Sequence, residues 1–291
     1  MIREFFQPDT IIKALQLRRD NKRSTLLAGG TDFVVALHKD METEGSIIDL
    51  SKVKRLKGIE VEGDMIKIGP MTNFTDLSDS KILKDVADML CQAGNTIGSP
   101  QIRNRGTIGG NICHASPAAD GITPLLCLDA EIEIQSITAD DIIQTRMLLL
   151  EDFVLGTKKT ALQDNEIMVG IQFQRPLPDT FSSFQKIGRR NALAVARING
   201  SCILRLNNNF VESIQFALGA STSKPERIRV VEELLTGVEL TKEALNQAGK
   251  QAAAYVLKQT GTRASSSYKL PVIEKFTVSL IETTMERSMN R

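Results

Sequence analysis

Two glycine pairs carry the chemistry this chain can offer. Gly29 and Gly30 stand in Leu26-Leu27-Ala28-Gly29-Gly30-Thr31-Asp32-Phe33. Gly109 and Gly110 stand near the end of Gly98-Ser99-Pro100-Gln101-Ile102-Arg103-Asn104-Arg105-Gly106-Thr107-Ile108-Gly109-Gly110-Asn111-Ile112. Adjacent glycines let backbone pass close to a ligand with its N–H groups pointing outward. A strand-like run, Thr25 to Ala28, enters the first turn, and a helix-like run, Thr31 to Leu37, leaves it. That order presents free amides to a phosphate. The reading is a dinucleotide site, with one pyrophosphate held by two glycine turns. Neither stretch is Gly-x-Gly-x-x-Gly, and no Gly-Lys-Ser/Thr follows, so the Rossmann and Walker patterns are absent.

Other residues offer little acid–base or metal chemistry. The 291 residues include two histidines, no tryptophan and four cysteines, at 91, 113, 127 and 202. No Cys-x-x-Cys pair occurs, which argues against metal or iron–sulfur ligation within this chain and for buried free thiols. Any chemistry then belongs to a cofactor. A net charge of +1 gives no electrostatic case for nucleic acid or an anionic membrane. No apolar run approaches the ~20 residues that span a bilayer, and Met1 to Pro8 lacks a signal-peptide core. These features point to the cytosol.

Elements that would position the turns follow from periodicity. Asp9 or Thr10 caps a helix from Ile11 to about Arg19. Ser46 to Leu50 reads as a buried strand, so residues ~10–50 form a small α/β unit. Gly58 to Gly63 and Met65 to Gly69 suggest a hairpin. Thr72 is expected to cap a short helix through Leu77, and Ile82 to Ala93 to form a longer one. The second glycine stretch has no obvious regular structure before Thr107. Pro117 could open a helical turn, and the apolar run Thr123 to Leu128 should pack behind the ligand. Ala130 to Gln135, Met147 to Val154 and Glu166 to Phe173 read as strands. Arg175-Pro176-Leu177-Pro178 marks a domain boundary. Beyond it lie three strand candidates, Phe181 to Ile187, Ala194 to Leu206 and Val211 to Ala220, with Asn207-Asn208-Asn209 turning the last two into a hairpin. Helices are expected at Arg227–Leu235, Lys242–Lys258 and Val272–Glu286.

Five motifs in order resemble the FAD-binding subunit of the molybdenum hydroxylases, the family of xanthine, nicotinate and aerobic carbon monoxide dehydrogenase medium subunits. They are Leu-Ala-Gly-Gly-Thr-Asp at 27–32, Gly-Ser-Pro-Gln-Ile-Arg-Asn at 98–104, Gly-Thr-Ile-Gly-Gly-Asn-Ile at 106–112, Ser-Pro-Ala-Ala-Asp at 116–120 and Phe-Gln-Lys-Ile-Gly-Arg-Arg at 184–190. The resemblance implies an α+β fold. A vanillyl-alcohol-oxidase-type FAD-binding domain of two subdomains, about 1–53 and 54–176, would precede a smaller C-terminal domain, 177–291, with a three-stranded sheet and helices.

The same resemblance implies noncovalent FAD, with molybdopterin and [2Fe-2S] clusters on partner subunits only. Leu26, Leu27, Ala28, Gly29, Gly30, Thr31, Asp32 and Phe33 would hold the pyrophosphate, through backbone N–H groups and the Thr31 hydroxyl. Thr107, Gly110 and Asn111 would close on the diphosphate and ribityl chain. Asp120 would bond the ribityl or the flavin edge. Lys186 would sit near the pyrimidine end of the isoalloxazine, where positive charge favours the reduced ring; Gln185 could take its place. Ile97, which stands where mammalian members carry phenylalanine, and Met168 complete the contacts. Leu193 falls near a position that lies against the isoalloxazine in relatives.

Each residue keeps a plainer alternative. Gly29 and Gly30 could be only a strand–helix turn, Asp32 a first-turn acid, Asp120 a cap and Lys186 a solvated charge. Arg103 and Arg105 fit either surface charge or a partner contact. His114 is read as having no covalent flavin link, Cys113 as buried structure, and His38 as a helix C-terminal residue without a catalytic role.

The implied function is electron transfer: from iron–sulfur clusters of a partner, through FAD, to NAD+ or another acceptor, during hydroxylation of an N-heterocycle such as a purine or nicotinate. No side chain here is expected to be catalytic. Two competing readings are a self-contained FAD-dependent oxidase or reductase of the same fold, and an assembly protein that has lost FAD.

Overall fold

A computed structural model of the chain describes residues 2–37, 45–188, 190 and 193–289. His38 lies outside them. Two compact units are present, and both are discontinuous in sequence.

The first unit comprises Met1–Ser80, Gly98–Ala115 and Asp129–Arg175. It opens with an unforeseen strand, Ile2–Phe6, which pairs in parallel with Gly45–Asp49; Thr25–Leu27 pairs on the other side of that strand. The helix Ile11–Asp20 starts where Thr10 accepts from the Lys13 N–H at 3.3 Å. Its Ile11, Ala14 and Leu15 pack with Ile48, Leu50, Val53, Leu56, Ile137 and Ile167. Burial of this kind stabilises by roughly 1.5–3 kcal/mol per large aliphatic side chain.

The unit's second sheet is antiparallel and five-stranded. Its order is Ile59–Glu62, Met65–Ile68, Ile167–Gln174, Glu131–Ile137, Ile143–Leu149. The hairpin at Gly63 is as the alternation predicts. The strand expected at Met147 to Val154 is not one strand. Ile143–Leu149 ends there, the helical turn Leu150–Phe153 buries Leu150 and Phe153, and Val154–Gly156 follows. Thr72 caps nothing. Its hydroxyl bonds Gly58 N and O at 2.9 and 3.0 Å, while Asn73 caps the helix Phe74–Asp79 through the Asp76 N–H. A buried hydroxyl between two backbone groups satisfies both, which local sequence cannot reveal.

The second unit comprises Lys81–Ile97, Ser116–Leu128 and Pro176–Arg291. The helix expected over Ile82 to Ala93 is two, Lys81–Val86 and Asp88–Asn95, broken at Ala87 with φ −155°. No Gly or Pro marks the break. Met89, buried like Leu83 and Ala87, would point well away from them on one continuous helix. Ile122–Cys127 forms a short helix buried at every position.

Three long antiparallel strands, Thr180–Gly188, Ala196–Asn207 and Phe210–Gly219, gain a short fourth, Glu226–Arg227, so the sheet has four strands where three were expected. Asn208 and Asn209 take φ of 49° and 68°, and Asn207 pairs with Phe210 across this two-residue turn. Helices Arg229–Leu235, Lys242–Thr260 and Ser266–Met289 cover a core that includes Leu204, Phe216, Leu218, Val231, Leu235, Ala252, Ile273 and Leu280. The last helix begins six residues before Val272 and runs through Pro271. Burial around Leu270 and Ile273 overrides the local preference of proline for a helix start.

Candidate functional site

Four consecutive amides define the first cluster. Among the described residues, no acceptor takes the N–H groups of Gly29, Gly30, Thr31 or Asp32. Strand Thr25–Leu27 delivers the chain to this bend, and the Gly30 carbonyl accepts from the Val34 N–H at 2.9 Å as the helix Phe33–Leu37 begins. Gly30 has φ +78°, a conformation that costs other L-residues roughly 1–2 kcal/mol. Leu26, Leu27 and Ala28 are half-buried, Thr31 and Phe33 likewise, and Asp32 is exposed.

The second glycine stretch closes on the first. A Cβ on Gly29 would overlap the Arg105 carbonyl, and one on Gly109 would overlap Pro70. A Cβ on Gly110 would stand 3.6 Å from that of Ala28, and the Gly106 position faces the Thr31 hydroxyl. The stretch is ordered by caps. Ser99 accepts from the Ile102 N–H to start the helix Pro100–Arg103, and Thr107 accepts from the Gly110 N–H at 3.1 Å to start Ile108–His114. Thr107 also bridges Asn73. Asn111 is half-buried.

Beside the turn lies a cleft of about 360 Å³. Ala28, Gly29, Ser51, Met71, Asn73, Asn104, Arg105, Thr107, Lys54 and Lys57 are among the residues that line it. Three of these are cations. Lys57 is paired with Asp76 at 2.8 Å. Arg103 turns back to the Gly98 carbonyl at 3.1 Å, so of the two arginines in the motif Arg105 lines the cleft. Lys54, Lys57 and Asn73 were not singled out as site residues, and Asn104 only as the last residue of the 98–104 motif; Asn73 carries a local signal as the cap of the helix Phe74–Asp79.

A second cluster lies in the other unit. The Lys186 ammonium is 2.5 Å from Asp120 Oδ2 and donates to the Thr96 carbonyl at 3.2 Å. Asn199 Nδ2 donates to Asp120 Oδ1 at 2.6 Å. Burial holds the Asp120 carboxyl above the ordinary carboxylate range, and outweighs the opposing pull of Lys186 and the Asn199 amide. Gln185, the alternative to Lys186, bonds Thr283 instead, as strand alternation requires. Asn199 was not foreseen; its signal is a polar side chain at an inward position of the strand Ala196–Asn207.

The remaining predicted residues are more dispersed. Ile97 is half-buried and donates its N–H to Gly94 at 3.2 Å. Met168 is buried in the five-stranded sheet opposite Ile134. Leu193 is exposed with φ 54°. His114 ends its helix before Ala115 at φ 47°. The neighbouring Cys113, read as buried, is half-buried, and desolvation pushes its thiol up to about 12.

A row of amides that no described acceptor takes, beside a cleft lined by Lys54, Lys57 and Arg105, has the chemistry that suits an anion such as a phosphate. A family profile described as the FAD binding domain in molybdopterin dehydrogenase matches residues 1–176, and one described as the CO dehydrogenase flavoprotein C-terminal domain matches 182–284. The chain is 31% identical over 274 residues to the xanthine dehydrogenase FAD-binding subunit of Escherichia coli O157:H7, covering 94% of this chain and 92% of that protein. It is 33% identical over 248 residues to the nicotinate dehydrogenase FAD-subunit of Eubacterium barkeri, covering 83% and 82%. Its fold is similar to that in carbon monoxide dehydrogenase from Hydrogenophaga pseudoflava lacking the Mo-pyranopterin moiety, with TM-score 0.90, 26% identity, and 99% and 98% of the two chains covered. The chain belongs to the FAD-binding (medium) subunit family of the molybdenum hydroxylases, a family of oxidoreductases.

Proposed function

We propose that this chain is the electron-transferring flavoprotein subunit of a multi-subunit hydroxylase, taking electrons from a partner's iron–sulfur clusters and passing them to NAD+ or another acceptor. The observation that carries the reading is the row of amides from Gly29 to Asp32 that no described acceptor takes, closed by the Arg105 carbonyl where only a glycine leaves room. Bound FAD would supply the redox chemistry, accepting electrons singly and releasing them as a pair.

The protein's own residues bind and orient. The Gly29–Asp32 amides and the Thr31 hydroxyl would hold the diphosphate, with Thr107, Gly110 and Asn111 closing over it. Lys54 and Arg105 add positive potential beside them, while Lys57 is neutralised by Asp76. Asp120 would accept from ribityl hydroxyls. Lys186, held in its pair with Asp120, would offer the flavin a dipole rather than a bare charge. Binding is noncovalent in this reading, and none of these side chains acts as nucleophile or general base.

The reaction we favour for the assembled complex is hydroxylation of an N-heterocycle, purine or nicotinate. The xanthine and nicotinate dehydrogenase relatives support it. A cytoplasmic setting is part of the reading, supported by four free cysteines; no helix among the described residues is long and apolar enough to cross a membrane. Purification followed by FAD reconstitution tests the core claim. The expected result is one flavin per chain and no hydroxylase turnover by the isolated subunit. Failure to take up flavin would refute it, and turnover of a small substrate by the chain alone would favour the self-contained oxidase.

A further inference from the structure

We propose that Asn199 is a positioning residue for the cofactor site, holding the carboxylate of Asp120 in place through its side-chain amide. The inference rests on the reading of Asp120 as an FAD contact. Lys186 and Asn199 stand directly opposite one another on adjacent antiparallel strands, so both side chains leave the same face of the sheet. They take one carboxylate oxygen each: Lys186 bonds Oδ2 at 2.5 Å and Asn199 bonds Oδ1 at 2.6 Å. Fixing both oxygens leaves the remaining lone pairs of Asp120 in a set direction, which is what recognition of ligand hydroxyls requires.

Asn199 does not earn its place by packing. It is fully buried, and its own Oδ1 has no partner among the described residues. An unpaired buried acceptor destabilises the fold, so an apolar residue such as its neighbours Ile198 or Cys202 would serve a merely structural role better. Room for the amide is made on the next strand. Gly219 lies opposite Asn199, and a Cβ there would overlap Asn199 Oδ1. Behind the carboxylate, Ser201 bonds Thr123 at 3.2 Å, and the Cys127 thiol donates to the Ser201 carbonyl at 3.3 Å. Thr96, Thr123, Cys127 and Asn199 are neutral, and Lys186 is the charged group acting on Asp120. Burial already raises the Asp120 carboxyl; loss of the amide takes it further up, so Asp120 would protonate at higher pH and lose acceptor strength.

The test is FAD affinity of the full chain, measured by flavin fluorescence quenching from pH 5.5 to 9, in Asn199→Leu, Asp120→Asn and the double variant. Asn199→Leu should weaken FAD about tenfold at neutral pH and move the acid midpoint of binding upward, the loss expected from one charge-assisted hydrogen bond. In the Asp120→Asn background the same change should alter affinity less than about twofold. Gly219→Ala, which displaces the amide without removing it, should move the midpoint in the same direction and decides the matter if Asn199→Leu does not fold. An unmoved midpoint, or equal losses in both backgrounds, overturns the inference while leaving FAD binding intact. If Asp120→Asn binds FAD as tightly as the parent, the reading of Asp120 itself fails, and this inference with it.

Discussion

Gly29 lies against the carbonyl of Arg105 so closely that a β-carbon could not be accommodated between them. Seventy-odd residues apart in sequence, the two glycine stretches thereby meet backbone to backbone. The contact explains why position 29 must be glycine: a side chain there would hold the bend away from Arg105 and Gly106.

Gly29→Ala should therefore cost about 1–3 kcal/mol, as overpacking does in a closed site. Flavin affinity should fall by more than the tenfold that corresponds to about 1.4 kcal/mol. Gly30→Ala, at φ +78°, should cost roughly 1–2 kcal/mol through backbone strain alone. Thermal melts of the flavin-free proteins, read beside FAD titrations, separate folding from binding. A Gly29→Ala protein with parental affinity would contradict the assignment of the bend.

Lys186→Met should leave Asp120 buried without its cation. Breaking a buried pair this way costs about 3–5 kcal/mol. The pH dependence has a definite sign. Asp120 has a raised folded value, so the native state binds its proton more tightly than the unfolded chain does, and stability falls as pH rises from the unfolded value near 3.8 through the folded one. Removing Lys186 should widen that window. Urea denaturation should find the variant's deficit larger at pH 8 than at pH 5, and Asp120→Asn in the same chain should recover most of it.

Glu166 works in the opposite direction. Burial alone would raise it, but two bonds from Arg146 at 2.7 Å and the Gln163 N–H together hold it below the ordinary range. Its contribution is present above the unfolded value of 4.5 and is lost as pH falls through the folded value. Glu166→Gln should destabilise by about 1–3 kcal/mol at pH 7. The gap from the parent should shrink below about pH 4.5. A gap that stays constant down to pH 3 would mean the ion pair is not what holds this loop.

The cysteines should be slow to react. Burial pushes Cys113 and Cys202 up to about 12, and Cys91 and Cys127 are buried. Titration with a thiol-reactive chromogen at pH 8 should find little reaction in the native protein and four thiols in guanidinium. Rapid native reaction of Cys113 would mean that the helix Ile108–His114 opens readily.

What could be read from the sequence was local. Alternation gave the long strands of the second unit, and Asn208-Asn209 gave their hairpin, because two residues in a left-handed conformation favour asparagine. The spacing of Ile11, Ala14 and Leu15 gave the first helix. The first glycine pair marked a bend, because the left-handed φ of +78° at Gly30 is a property glycine itself supplies. Elements set by distant partners were not legible: the strand Ile2–Phe6 needs Gly45–Asp49 beside it, and the break at Ala87 reflects what surrounds it.

By itself, then, the sequence determined where the chain bends at Gly29-Gly30 and Asn208-Asn209, and which runs form the long strands of the second unit. Only the tertiary structure decided that Lys186 meets Asp120, that Asn199 completes the pair, and that Arg105, Lys54 and Lys57 converge on one cleft. Propensities act over a few residues, whereas the partner of a buried charge is chosen by whichever distant group the fold brings within hydrogen-bond reach.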